Sequence, residues 1–459
     1  MFNIIASVSG VRGIMGKNLT PDNINVFTSA FAEYCRETSK SKKIVVGRDG
    51  RIFGSVIANM VISNLILAGY KVIYIGIAPT PTIQIATEEL KAAGGVAITA
   101  SHNPQEWNGL KFLNSDGTFL DLQQNKRMLE IASKGKFKFE KVQNLKNPEF
   151  DDTWLDKHIN KVLKLKSVNI AAIKKRKFKV VVDAVNSAAS VIAPALLRKL
   201  GCRVTELFCD ESGVFPHTPE PLPHNLVLLS RAVKKQKADL GIAIDPDSDR
   251  LVLITEKGEP YSEENTVTTA IKRILRYSNA KRKAVTVNLS TTRAVDDIAN
   301  QYGAKTFRSP VGEINVVKEM KRNKSIAGGE GSGGVIIPEI HYGRDALAAL
   351  GVILSEFAET GLKVSEYKNK LPQYFITKAK IEVKGNPNKV LKKVISNHRK
   401  QKCIINTDDG VKLDFDNYWI HLRKSNTEPI IRIITEAKSS EEAERIQKGF
   451  ISGLNIKNL

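Results

Sequence analysis

The chain has 459 residues, of which 42% are hydrophobic and 26% charged, and its formal net charge is +22. That length predicts about two to four domains able to bury their own cores without disulfides, and the composition excludes a disordered or fibrous chain. The four cysteines, Cys35, Cys202, Cys209 and Cys403, form no CxxC pair, which argues against a zinc site and for a reducing, cytoplasmic setting.

The basic residues are spread as on a solvated surface. The densest run, Lys174-Lys175-Arg176-Lys177, stands before an apolar strand with no interleaved aromatics, so no specific nucleic-acid partner is expected. The first residues show no secretory signal pattern. The most apolar stretch, residues 56–68, is broken by Asn59, Ser63 and Asn64, too short and polar to span a membrane.

In chain order, Ile44-Val45-Val46-Gly47 reads as a buried strand and residues 56–68 as a helix stopped by Gly69. Val72-Ile73-Tyr74-Ile75 and Gly95-Val96-Ala97-Ile98 are the next strands. The rhythm returns as strand 178–183, helix 188–200 and strand 203–208, then as strand 284–288 and helix 292–302. Alternation of this kind predicts parallel sheets covered by helices. Polar stretches at 134–152 and 258–264 separate the units, although no strong repeat shows in the letters. After Pro372 the texture changes to strands at 379–383, 419–422 and 430–435 and a last polar helix, an α+β pattern. The expected domains are 1–153, 154–257, 258–369 and 370–459.

Four segments carry chemistry. Thr99-Ala100-Ser101-His102-Asn103-Pro104 follows a strand and ends in a turn signal, so its hydroxyl sits where open α/β sheets bind ligands. Asp245-Pro246-Asp247-Ser248-Asp249-Arg250 follows the apolar run 240–244. Its alternating carboxylates repel one another unless a hard cation neutralises them, which suits Mg²⁺ and lacks the spacing of a calcium hand. Gly328-Gly329-Glu330-Gly331-Ser332-Gly333-Gly334 permits close backbone approach to a ligand, with Glu330 and Ser332 to bond sugar hydroxyls; no Gly-Lys-Ser/Thr follows, so it is not a P-loop. Arg423-Lys424-Ser425-Asn426-Thr427-Glu428-Pro429, with Arg432 beyond, reads equally as a basic turn or a phosphate cradle.

Taken together, TASHNP, DPDSDR, GEGSG and RKSNTEP resemble the α-D-phosphohexomutase superfamily, in the family's order and over nearly the whole chain. The resemblance implies three related α/β domains with mixed sheets plus a smaller C-terminal α+β domain around a central cleft. It makes Ser101 the phosphorylated serine and a metal ligand together with Asp245, Asp247 and Asp249. It gives Arg250, Glu330 and Ser332 to the sugar phosphate, and Arg423, Ser425, Asn426, Thr427 and Arg432 to the phosphate that does not react. The segment Ser9-Gly10-Val11-Arg12-Gly13 puts Arg12 beside the phosphoserine, and Asn108-Gly109-Leu110-Lys111-Phe112 supplies the active-site Lys111. Lys111 and His102 are the candidate bases.

The implied reaction is phosphoryl transfer from phosphorylated Ser101 to a sugar phosphate, with Mg²⁺, a sugar 1,6-bisphosphate as intermediate and activator, and return of the other phosphoryl to Ser101. The protein's positive charge would attract such anions. The GEGSGGV and HYGRDAL segments favour glucosamine 6-phosphate to glucosamine 1-phosphate. A phosphomannomutase/phosphoglucomutase is the alternative, and a non-catalytic sugar-phosphate binder stands behind both. A monomer or homodimer is expected. Two departures stand out: many members carry His where this chain has Gly334, for which nearby His341 is a candidate substitute, and Ser187 stands where Gly is usual, with no catalytic consequence expected.

Overall fold

Runs of small and β-branched residues, buried throughout, form the strands Gly94–Ile98, Leu240–Ile244 and Ala284–Asn288. Burial on both faces explains why they read as continuous apolar runs. The computed structural model describes residues 10–383, 385–424 and 430–454, with the backbone of 5–7. Four sheets organise the chain, of seven, four, four and five strands.

The first three sheets share one plan. In the first, Lys71–Ile77, Lys43–Arg48 and Gly94–Ile98 lie parallel in that order, and Trp107–Asn114 returns antiparallel beside the last. The second repeats it with Arg203–Leu207, Lys179–Asp183, Leu240–Ile244 and the returning Leu251–Thr255. The third uses Lys305–Ser309, Ala284–Asn288, Ala327–Glu330 and the returning Gly334–Ile336. The expected mixed-sheet α/β units are therefore present. The fourth sheet is antiparallel throughout, with helices Pro387–His398 and Ser440–Gly453.

Each chemistry-bearing segment is the connection into a returning strand. Ser101 lies between Gly94–Ile98 and Trp107–Asn114, the aspartates between Leu240–Ile244 and Leu251–Thr255, and the glycine loop between Ala327–Glu330 and Gly334–Ile336. In the fourth sheet, Trp419–Lys424 and Ile430–Ala437 are likewise antiparallel neighbours flanking the 425–429 segment.

The polar stretch 134–152 is more than a spacer, because Glu149–Phe150 adds a parallel edge strand to the first sheet. The basic run at 174–177 forms the last turn of helix Ile170–Arg176, with Lys177 as its left-handed cap. Positive charge is favoured at a helix C-terminus, which accounts for the run without a polyanion. Helix Ala346–Thr360 is apolar from Ala346 to Leu354, buried on to Phe357, and capped by Asp345, whose side chain accepts from Leu347 N and Ala348 N. It packs within a core cluster shared by the first three units, whereas the fourth has its own cluster.

Candidate functional site

Ser101 occupies a left-handed turn with φ +50°, a conformation that costs a non-glycine residue about 1 kcal/mol or more. The surroundings impose it. Ser101 N donates to Thr99 Oγ1 at 2.8 Å, and Thr99 Oγ1 donates to Asp49 Oδ2 at 2.6 Å. Arg51, wholly buried, donates to four backbone carbonyls around the loop: Ser101 and Asn103 at 2.6 Å, Pro104 at 2.7 Å and Trp107 at 2.9 Å. Its Nε also pairs with Asp49 at 3.2 Å. Arg12, on strand Gly10–Ile14, donates to Asn103 Oδ1 at 3.2 Å.

Ser101 Oγ donates to Asp245 Oδ2 at 3.2 Å across the first and second units. Asp245, Asp247 and Asp249 are all buried, and each offers a carboxylate oxygen within 4.8 Å of the others. Asp245 Oδ1 accepts from the backbone N–H groups of Asp249 and Arg250, both at 3.1 Å. Asp247 Oδ2 accepts from Lys111 Nζ at 2.5 Å and Thr80 Oγ1 at 2.8 Å. Asp247 Oδ1 and Asp249 Oδ1 are buried without a hydrogen-bond donor among the described residues. Two orphaned carboxylate oxygens beside Asp245 and a serine hydroxyl fit a hard divalent cation.

The electrostatics agree with that fit. Burial, with Asp249 and Asp247 nearby, pushes the Asp245 carboxyl well above its ordinary range. Burial pushes Asp247 the same way, but Lys111 and Thr80 outweigh it and hold the group low. Lys111 lies in the strand opposite Ala97 and also approaches Asp249 at 3.7 Å. His102 Nδ1 is 3.4 Å from Ser101 Oγ, and burial, Arg250 and Arg12 push its imidazole down to about 2.

Glu330 closes the strand Ala327–Glu330. Its Oε1 accepts from Asn288 Nδ2 at 2.9 Å and Gly312 N at 2.8 Å, and its Oε2 from Arg344 Nη1 at 2.8 Å. Ser332 is half-buried between Gly331 and Gly333. The loop is also tied to the second unit, where Leu251 N donates to Gly333 O at 3.1 Å. Arg423 pairs with Asp409 at 2.7 Å, and Asp409 accepts from Val311 N at 2.9 Å, next to the Gly312 that binds Glu330. Arg423 and Arg432 are directly opposite on neighbouring strands. Like charges so placed are destabilising until an anion joins them. Ser425, Asn426 and Thr427, like Ser9, lie outside the described residues.

Ser101, His102, Arg12, Lys111 and the three aspartates thus meet at one junction, reached from Glu330 through Arg344. His341 does not substitute at Gly334. It is buried, with Nε2 3.3 Å from Asp345 Oδ2, and a β-carbon at Gly334 would instead meet Arg344 Cδ at 2.2 Å. The sequence reading missed Asp49, Arg51, Thr80, Ser187 and Arg344. Arg51 had a signal, in Gly47-Arg48-Asp49-Gly50-Arg51 directly after a buried strand. Ser187 Oγ accepts from Gly50 N at 2.9 Å and donates to Pro246 O at 2.8 Å, so it joins the Arg51 turn to the aspartate loop.

Comparison with known proteins matches this arrangement. Family models described as phosphoglucomutase/phosphomannomutase alpha/beta/alpha domains I, II and III match residues 4–139, 156–258 and 263–375, and the C-terminal domain matches 378–452. A phosphoglucomutase/phosphomannomutase of Thermococcus kodakarensis is 38% identical over 95% of this chain and 94% of its own length. A probable phosphoglucosamine mutase of Methanopyrus kandleri is 33% identical over 96% of each chain. The crystal structure of a phosphoglucomutase/phosphomannomutase family protein from Burkholderia thailandensis superposes with a TM-score of 0.86 at 25% identity, over 98% of each chain. The chain belongs to the phosphoglucomutase/phosphomannomutase family, within the α-D-phosphohexomutase superfamily.

Proposed function

We propose that this protein is a hexose-phosphate mutase acting through a phosphorylated Ser101, with glucosamine 6-phosphate to glucosamine 1-phosphate as its reaction. The carrying observation is the 3.2 Å approach of Ser101 Oγ to a buried trio of carboxylates that retains two orphaned oxygens. Burying three acids with two of their oxygens left without a hydrogen-bond donor is costly for a mere binding protein and serves one that holds a cation beside a phosphoryl donor. Phosphoglucosamine mutases recur among the relatives at 30–36% identity. The Thermococcus relative at 38% favours a second reading, phosphomannomutase/phosphoglucomutase, by the same chemistry.

Asp245, Asp247 and Asp249 would hold Mg²⁺, which when bound neutralises charge on the transferring phosphoryl group. In the first half-reaction the bond between phosphorus and Ser101 Oγ breaks, and one forms to a sugar hydroxyl, giving a bisphosphate. The hydroxyl proton passes to Lys111 in its neutral form, reached when the amine gives up its 2.5 Å bond to Asp247; His102, held near 2, is a poor proton acceptor. The second half-reaction returns the other phosphoryl to Ser101 Oγ, so a sugar 1,6-bisphosphate serves as activator. Arg12 adds positive charge beside the donor. Arg250, Glu330 and Ser332 hold the sugar phosphate, and Arg423 and Arg432, with Ser425, Asn426 and Thr427, clamp the idle phosphate. One chain supplies every group, which suits a monomer or a homodimer. No helix among the described residues is long and apolar enough to cross a membrane; with the four cysteines free, the reading places the protein in the cytoplasm.

The test is turnover of glucosamine 1-phosphate, mannose 1-phosphate and glucose 1-phosphate, with Mg²⁺ and catalytic hexose 1,6-bisphosphate. The highest kcat/KM is expected for glucosamine 1-phosphate, with no turnover by Ser101→Ala or after chelation. Preference for mannose or glucose phosphate would move the assignment to the second reading. Inertness of the wild type towards all three would defeat the catalytic one.

A further inference from the structure

Arg344 has a nearly buried side chain, 11% exposed, and each of its three nitrogens serves a different acid. Nε donates to Glu313 at 3.0 Å, Nη1 to Glu330 at 2.8 Å and Nη2 to Asp249 at 2.5 Å. The acids come from three places: the first residue of helix Glu313–Asn323, the end of strand Ala327–Glu330, and the aspartate loop of the second unit. Gln84 of the first unit braces the far oxygen of Glu313 at 3.2 Å. A planar guanidinium can direct three donors at once; an ammonium on a flexible stem cannot fix the same directions. A β-carbon at Gly334 would lie 2.2 Å from Arg344 Cδ and 3.0 Å from Cγ. With its nitrogens engaged the stem cannot swing aside, so a glycine at 334 is what leaves it room.

We infer that Arg344 is a positioning residue that couples the cation site to the sugar-hydroxyl site; the inference rests on the mutase reading above. By taking Asp249 Oδ2 it leaves Oδ1, which accepts no hydrogen bond and has only the Arg250 guanidinium 3.6 Å away, as the oxygen to face a cation. By taking Glu330 Oε2, while Asn288 and Gly312 take Oε1, it completes the fixing of that carboxylate. Movement of either loop must shift the shared guanidinium, so occupation of one site bears on the other, and the effect is reciprocal.

The test is calorimetric titration of the full chain carrying Ser101→Ala, which cannot transfer phosphate. Mg²⁺ is titrated with and without glucosamine 1-phosphate or glucose 1-phosphate, and each sugar phosphate with and without Mg²⁺. The parent is compared with Arg344→Lys and with Gly334→Ala. The alanine removes no charge and sits on strand backbone that it readily adopts, and the three atoms nearest its β-carbon all belong to Arg344, so it decides the matter should the lysine variant fail to fold. In the parent, each ligand is expected to tighten the other by roughly fivefold or more, and in both variants the factor should fall to within about twofold. A folded Gly334→Ala protein with the parent's coupling, or a parent that binds the two ligands independently, would overturn the inference and leave the mutase reading standing. A parent that binds neither sugar phosphate overturns both.

Discussion

Arg51 shows how much of the site depends on side chains that touch no substrate. Its guanidinium holds four carbonyls of the Ser101 loop and neutralises Asp49, whose carboxyl burial pushes up. Arg51→Met would leave Asp49 as an unpaired buried acid, so a loss of about 3–5 kcal/mol is expected in urea denaturation, with turnover abolished. Ser187→Ala is milder. It strands the Gly50 N–H without its 2.9 Å acceptor, at a cost of about 1–3 kcal/mol. Steady-state kinetics should show the fall in kcat rather than in substrate affinity, because the bond aligns two loops and meets no sugar. Ser101 and the three aspartates were legible because their residue types cluster within a few positions. Arg51 showed only in its local Gly-Arg-Asp-Gly-Arg run, and its loop-holding role, like those of Arg344 and Ser187, was hidden because the bonds that matter reach residues 50, 95 and 137 positions away.

At the level of elements, the three-fold plan hides in the connections. Apolar parallel strands such as Leu240–Ile244 announce themselves, whereas the returning strand Trp107–Asn114 carries a lysine and a glycine. Trp107–Asn114 contains Asn108-Gly109, which reads as a turn, yet Gly109 is there because a β-carbon would meet Val11 O at 2.4 Å in a central strand. The glycine loop shows the same economy of space. A β-carbon on Gly331 would fall 1.9 Å from Glu264 Oε1, on a half-buried side chain whose carboxyl is pushed up to about 8 by desolvation and also accepts from Thr292 N at 3.0 Å. Gly331→Ala should therefore displace the loop and raise KM for the hexose phosphate about tenfold, equivalent to about 1.4 kcal/mol, with unfolding little changed. Helix Ala346–Thr360 gave no amphipathic signal because it has no wet face.

Across the whole molecule, the first three units share one apolar core while the fourth is attached to the third by polar contacts. Lys412 Nζ donates to Leu289 O at 2.9 Å, and Arg293 donates to Asp416 O at 2.9 Å and Tyr418 O at 3.1 Å. His421 completes the seam. The Asp409 carbonyl can only accept, so Nε2 carries the proton at 2.7 Å, and Nδ1 accepts from Ser290 Oγ at 2.9 Å. Burial pushes this imidazole from 6.5 down to about 4. Between those values the undocked state holds a proton that the docked state excludes. Attachment is therefore complete above about 6.5 and weakens as pH falls towards 4, by up to about 1.4 kcal/mol per pH unit. Hydrogen exchange in residues 419–424, corrected for its intrinsic pH dependence, should accelerate at pH 5 in the wild type and much less in His421→Gln. The broad fold was readable from the rhythm of apolar runs, but this seam was not, because its bonds join residues more than a hundred positions apart. A separate core also makes the last unit an interchangeable part: a relative's version grafted behind Leu371 would carry its own apolar interior, so diversification of what is clamped can proceed while the phosphoryl donor is inherited unchanged.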